Sequence, residues 1–135
     1  MSKSKPEVKL PDAELELLAA LCRAREATAR ELRDAIDPHR PMAHGSVLTL
    51  LGRLESKALV QREKGEVGKA FVYKPTAAGR SVFRPVVRNF LQRVFGGSSV
   101  SFVASLLEST PPTAEEIEEL QQMLDDLRSK QGKKR

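Results

Sequence analysis

Within two or three residues of Lys57 a helical pattern gives way to a β pattern, and that switch constrains the fold more than any other feature of the chain. Upstream of it, Val47, Leu50, Leu51, Leu54 and Ala58 recur at helical spacing. They predict a helix from about Ala43 to Lys57, about 22 Å long at 1.5 Å per residue. Downstream, Leu59–Lys64 and Lys69–Tyr73 are β-prone runs on either side of Gly65-Glu-Val-Gly68. They predict a hairpin with glycines where a turn needs positive φ, ended by Pro75.

Two shorter helices are expected before the switch. The first starts near Pro11 with Asp12 as N-cap and runs to about Arg25, with Leu15, Leu18, Ala19 and Cys22 as its apolar stripe. The second opens on Thr28-Ala-Arg-Glu31, a capping box in which hydroxyl and carboxylate satisfy free backbone N–H groups reciprocally. It runs through Leu32 and Ile36 and is stopped by Asp37-Pro38 and Arg40-Pro41. Three short helices and then a hairpin are the element order of a winged helix-turn-helix. In that architecture the third helix enters the major groove of DNA and the wing lies along the phosphates.

The residue types fit that use. Opposite its apolar stripe the third helix carries Gly45, Ser46, Thr49, Gly52, Arg53 and Ser56. An ordinary solvated face would also be polar, but the first two turns here have neither Glu nor Lys. Short donors and acceptors with one arginine are what a surface needs to approach a polyanion and meet base edges. Arg62, Lys64 and Lys69 flank the hairpin tip as candidate phosphate contacts, and His44 stands at the start of the third helix. A plain structural ribbon is the other reading of the hairpin.

From Thr76 onward the pattern is helical again. A helix is expected near Ala77–Phe95, with Phe83, Val86, Val87, Phe90, Leu91 and Val94 apolar and Gly96-Gly97 ending it. A second follows near Ser99–Glu108 with Val100, Val103, Leu106 and Leu107. A third opens on the capping box Thr113-x-x-Glu116 and carries Ile117, Leu120, Leu124 and Leu127. So many apolar stripes in about 55 residues cannot be covered within so small a unit. Pairing with the same segment of a second chain would cover them, so a homodimer through Phe83, Val87, Phe90, Leu91, Val94, Val103, Leu106, Leu107, Ile117, Leu120, Leu124 and Leu127 is expected. The organisation is then a mainly α fold with a small β-wing: residues 1–10 a loose arm, 11–75 a winged-helix DNA-binding domain, 76–131 a helical dimerisation domain, and 132–135 a frayed tail.

Composition narrows the function. The 135 residues hold 23 Lys+Arg against 18 Asp+Glu, a mild basic bias that suits a polyanionic partner. Aromatics are only 4%, which argues against a binder that stacks single-stranded bases on rings. Cys22 is the single cysteine, excluding an internal disulfide, a CxxC pair and Cys-rich zinc modules. No apolar run approaches the ~20 residues of a membrane span, and Met1–Leu10 is too polar for a signal peptide, so a cytoplasmic protein without a membrane partner is expected. No cofactor is expected.

Ser46-Val-Leu-Thr-Leu-Leu-Gly-Arg-Leu-Glu-Ser-Lys-Ala-Leu59 resembles the TTVxTLLxRLxxKGL core of the BlaI/MecI/CopY family, the penicillinase-repressor type. Asp12-Ala-Glu-Leu-Glu-Leu-Leu18 resembles that family's first helix, and Arg62-Glu-Lys64 with Phe71-Val-Tyr73-x-Pro75 its wing. Phe90-Leu-Gln-Arg-Val-Phe-Gly-Gly97 and Ile117-Glu-Glu-Leu120 resemble its dimerisation tail. The resemblance implies a bacterial transcriptional repressor that binds palindromic operators as a dimer. Positions matching its DNA-reading helix are Ser46, Thr49 and Arg53. His44, Gly45 and Gly52 depart from the residues common there, which bears on the operator sequence. The Asn-Phe bond cleaved in the β-lactam-responsive members is missing from the matching Ser101–Glu108, and Asn89-Phe90 lies before the double glycine. The Cys-x-Cys motifs of the copper-responsive members are missing as well, so neither trigger carries over and the inducer is unassigned.

Three other readings are open to this sequence. Catalysis has no GxSxG, phosphate loop or HExxH to rest on. A metal-responsive regulator would use His39 and His44, with nearby carboxylates or Cys22, although Cys22 falls on an apolar stripe. A winged helix used only for protein contact is the third, and the basic wing and acid-poor helix face count against it.

Overall fold

The computed structural model describes residues 9–66 and 70–133. The chain divides into two compact units, Met1–Val87 and Arg88–Arg135.

The first unit begins with α1, Asp12–Ala24. Pro11, not Asp12, is its N-cap, and no side chain caps it. Proline already holds the extended geometry that a cap position requires, and Asp12 moves into the first turn, where its charge complements the helix dipole. The buried stripe is also rotated from the expected one. It consists of Glu14, Leu17, Leu18 and Leu21, while Leu15 and Cys22 pack only partly against the core. Burial pushes the Cys22 thiol pKa up, opposed in part by the charge of Arg80.

A two-residue strand, β1 (Ala27–Thr28), follows; no periodicity of the sequence announces it. The capping box then forms as expected: Thr28 N–H donates to Glu31 Oε1 at 2.9 Å and Glu31 N–H to Thr28 Oγ1 at 3.1 Å. It opens α2, Ala29–Ile36. The third helix, α3, spans His44–Ser56 and buries Val47, Leu51 and Leu54. Ala58, expected on its apolar stripe, instead lies beyond its end, exposed, at φ 63°. There the Ala58 N–H reaches the Glu55 carbonyl (2.9 Å) and the Leu59 N–H the Leu54 carbonyl (3.0 Å). This is a Schellman stop, completed by the buried pair Leu54 and Leu59.

The hairpin is β2 (Val60–Lys64) paired antiparallel with β3 (Phe71–Pro75), from Val60 opposite Pro75 to Lys64 opposite Phe71. Strand order is β1-β3-β2, with Ala27 and Thr28 opposite Tyr73 and Val72. Gly65 has no positive φ. Glycine is needed there because a Cβ would sit 2.9 Å from the Ala70 carbonyl oxygen. Gly68 and Lys69 lie outside the described residues.

The core gathers Leu17, Leu18 and Leu21 of α1, Leu32 and Ile36 of α2, the three buried residues of α3, and Leu59, Val60 and Tyr73. The helix expected over 77–95 is two: α4 (Ala77–Ser81) and α5 (Phe83–Phe95). Pro85 explains the break. It lacks the N–H that would continue the ladder back to Ser81, and it is tolerated only in a helix's first turn. Thr76 Oγ1 donates to the Ala58 carbonyl at 2.8 Å, and a Cβ on Gly79 would collide with the Leu59 carbonyl oxygen. Val82 is buried in this core and Phe83, expected at the dimer seam, packs partly against it.

In the second unit α5 ends at Gly96 and Gly97, at φ 59° and 88°, the left-handed geometry for which the double glycine is suited. Next come α6 (Ser99–Ser109), capped by Ser98, and α7 (Ala114–Lys133), opened by the Thr113–Glu116 box at 3.0 and 3.1 Å. Phe90, Phe95 and Phe102 form a cluster with centroids 5.3–5.9 Å apart, Phe90 edge-on to the other two and Phe95 tilted against Phe102. No residue of α5 or α6 is buried.

Candidate nucleic-acid interface

At about 100° per residue, α3 turns Gly45, Thr49, Gly52 and Ser56 outward, with Ser46 and Arg53 on one flank and His44 and Leu48 on the other. All eight are exposed. A Cβ built on Gly45 or Gly52 would meet nothing within 4 Å, and neither glycine has a positive φ. The fold therefore requires glycine at neither position. Thr49 Oγ1 donates to the Gly45 carbonyl at 3.0 Å, which leaves its lone pairs and methyl facing out. The helix has no side-chain cap and no acid in its first turn, so its first N–H groups stay open to an anion.

The His44 flank borders a groove of about 550 Å³ between α2, α3 and β3. Leu48, Phe71 and Tyr73 give it an apolar floor; Arg30 and Arg33 give it positive charge, His44 adds an imidazole, and no carboxylate lines it among the described residues. Arg33 also pairs with the exposed Asp34 at 3.3 Å. Arg30 and Arg33 were not singled out from the sequence. The signal was their i, i+3 spacing, Arg30 within the capping box and Arg33 just after it, and the pairing of β1 with β3 brings α2 beside the wing.

On the other flank the cations face carboxylates. Glu14 is the one buried polar side chain among the described residues. Its Oε1 accepts from Lys57 Nζ at 2.6 Å, and its Oε2 lies 4.0 Å from Arg53 Nη1. On the wing, Arg62 lies 3.3 Å from Glu55 and 4.4 Å above the centre of the Phe71 ring. Lys74 sits between Glu63 at 2.9 Å and Glu26 at 3.6 Å, and its pKa is raised chiefly by the hydrogen bond to Glu63. Lys64 has no carboxylate partner among the described residues, and it is exposed. Lys69 cannot be placed with them.

His39 and His44 do not come together. His39 Nε2 lies 3.3 Å from Glu16 on the α1 side, where Arg40 Nε also donates to Glu16 at 2.6 Å, while His44 lines the groove beside the wing. Among the described residues no three His, Cys, Asp or Glu side chains gather as a metal would require, and no single helix is long and apolar enough to cross a membrane. Of the residues expected at a dimer seam, all but Phe83, Leu91 and Leu107 are exposed, Val94 at 58% and Leu124 at 64%.

The sequence profile of the penicillinase repressor family matches residues 10–126. The penicillinase repressor of Staphylococcus aureus is 23% identical over 124 residues, covering 92% of this chain and 97% of that protein. That of Bacillus licheniformis is 27% identical over 117 residues, covering 87% and 90%. The methicillin resistance regulatory protein MecI of Mammaliicoccus sciuri is 26% identical over 116 residues, covering 86% and 93%. Among solved structures the fold is similar to a MarR mutant from E. coli complexed with operator DNA, with a TM-score of 0.53 and 22% identity over 76% of each chain. It is also similar to YusO from Bacillus subtilis, with a TM-score of 0.51 and 19% identity over 87% of this chain and 73% of that one. At such identities the structural likeness is one of fold: a winged helix-turn-helix with a helical C-terminal part.

Proposed function

Because the chain belongs to the penicillinase repressor family, a family of transcription regulators and not of enzymes, we propose that it is a cytoplasmic repressor that binds a palindromic operator as a homodimer. The observation that carries this reading is the outward face of α3, free of acids and of long side chains except Arg53, with a cationic groove along its His44 flank. Ser46 and Thr49 contact base edges or adjoining phosphates. His44, Arg30 and Arg33 hold one phosphate strand in the groove, and Lys64 and Lys69 hold the other side from the wing. Arg53 and Arg62 contribute only as far as Glu14 and Glu55 release them.

The dimer reading is supported by the second unit. A 13-residue α5 and an 11-residue α6 without a buried side chain lack the packing that holds most protein helices together. A two-fold pairing of these helices covers Val94, Val103, Leu106, Leu120 and Leu124 and offers two α3 faces to half-sites one helical turn apart or a multiple of it.

The test is selection of bound duplexes from a random pool, followed by fluorescence anisotropy and sedimentation. The expected outcome is an inverted repeat bound by one dimer about 10³-fold or more tighter than a scrambled duplex. Equal, weak, salt-erased binding to both duplexes would overturn the operator reading. A monomer at micromolar concentration would overturn the dimer.

A further inference from the structure

We propose that Glu14 is a specificity-determining positioning residue: a buried carboxylate that ties Lys57 to α1 through a hydrogen bond, and draws Arg53 toward it at 4.0 Å, and so withholds Lys57 above all from the phosphates of non-operator DNA. The inference rests on the DNA-binding reading above. Its starting point is an anomaly of packing. Glu14 occupies the stripe Glu14-Leu17-Leu18-Leu21 that α1 presents to the core, and its side chain is only 2% exposed. Desolvating a carboxylate there is costly, and a well-packed apolar residue often does as well or better for stability. The charge has a different consequence at the surface. Both its partners stand at the C-terminal end of α3, Arg53 in the last turn and Lys57 at the C-cap.

These cations are half in solvent, with side chains 60% and 39% exposed. Arg53 shares a flank with Ser46, one i, i+7 step along the face meant for DNA. Unrestrained, a long cationic side chain at such a place would find a phosphate on any duplex, because backbone contacts carry no sequence information. With Lys57 Nζ held 2.6 Å from Glu14 Oε1, that contact would require breaking a charged hydrogen bond whose acceptor has no water to turn to. Arg30, Arg33, His44 and Lys64, whose side chains Glu14 does not touch, remain available to any duplex. Glu14 therefore lowers the sequence-independent part of binding and leaves the small-residue face of α3 to decide.

The test uses the full chain, a random-sequence duplex and the duplex selected from the random pool, each titrated at several salt concentrations. Glu14→Gln keeps the shape and one acceptor and removes the charge. The expected result is tighter binding to the random duplex, a salt slope steeper by about one unit for each cation released, and a smaller ratio of selected to random affinity. Adding Lys57→Met to Glu14→Gln should return most of the slope. An unchanged slope in a folded Glu14→Gln protein would overturn the proposal and leave Glu14 a structural residue. Should that variant fail to fold, the Lys57 ammonium resonance of the unaltered protein decides. It should not shift when random duplex is added, and a shift would overturn the proposal. If the unaltered protein binds neither duplex, the DNA-binding reading itself has failed, and the Glu14 assignment with it.

Discussion

Gly52→Ala should make the protein more stable and a poorer DNA binder, and the opposite signs are what give the experiment its force. Gly52 lies in the interior of α3, with its φ in the ordinary negative range and nothing within 4 Å of where a Cβ would stand. Alanine in a helix interior is favoured over glycine by about 0.8–1.0 kcal/mol, and no contact here subtracts from that. For a unit of this size, 1 kcal/mol moves the midpoint of thermal unfolding by about 4–8 °C. On the DNA side the new methyl projects from the middle of the outward face, next to Thr49 and Ser56. If DNA seats against that turn, the methyl is overpacking at an interface, a defect of roughly 1–3 kcal/mol, or about 5- to 150-fold in affinity. Differential scanning calorimetry and anisotropy on the selected duplex read the two quantities separately. A rise in midpoint with unchanged affinity would refute the claim that DNA comes this close to Gly52. A fall in midpoint would refute the premise that the space is open. Gly45→Ala, in the first turn, should show the same loss of affinity with a smaller gain in stability.

The Schellman stop after α3 predicts a second stabilising change. Left-handed geometry costs a residue with a Cβ roughly 1–2 kcal/mol and glycine's extra freedom when unfolded returns roughly 0.4–1 kcal/mol, so Ala58→Gly (φ 63°) should gain about 0.5–1 kcal/mol, measured by urea unfolding. On the wing, Lys64→Ala should flatten the salt slope by about one unit, while Arg62→Ala, whose guanidinium is engaged by Glu55 and Phe71, should flatten it less; equal losses would show that Arg62 leaves its partners on binding. The Glu16 carboxyl is held below the ordinary glutamate range chiefly by the hydrogen bond from Arg40, against the opposing effect of burial and with help from His39. Its contribution to stability is thus complete above the unfolded-state pKa and is lost as pH falls through the folded one. Glu16→Gln should therefore lower the midpoint by a constant amount at neutral pH and above and converge with the unaltered protein in acid, flattening the acid limb of the midpoint-versus-pH curve. Leu124→Glu, at a position 64% exposed in the isolated chain, should shift sedimentation from dimer to monomer; a dimer of unchanged strength would place the seam elsewhere on the second unit.

What was legible in the sequence is what short-range chemistry decides. The boxes Thr28–Glu31 and Thr113–Glu116, the glycine pair at 96–97 and the passage from α3 into the hairpin each depend on residues within a few positions of one another, and each formed where its residues stand. Two local features still escaped. Pro85 splits the helix over 77–95, a signal present but outweighed by the long apolar stripe around it. Strand β1 is two residues long, too short for alternation to register, and exists because β3 offers Thr28 and Ala27 a free edge.

The candidate site was less legible, and the reason is electrostatic. A sequence supplies a count of cations, but what DNA meets is the set left over after folding has paired some of them with carboxylates far away in the chain. Arg53 and Lys57 meet Glu14 across about forty positions, and Arg62 meets Glu55 around the α3–β2 bend. Arg30 and Arg33, unremarkable in sequence, end up in a groove that no carboxylate among the described residues lines. Glu14 shows the limit most clearly. The stripe expected for α1, Leu15, Leu18, Ala19 and Cys22, leaves it out, because a carboxylate belongs at the surface, yet it shares the buried side of the helix with Leu17, Leu18 and Leu21. Only the arrival of Lys57 and Arg53 from the end of α3 lets both be true.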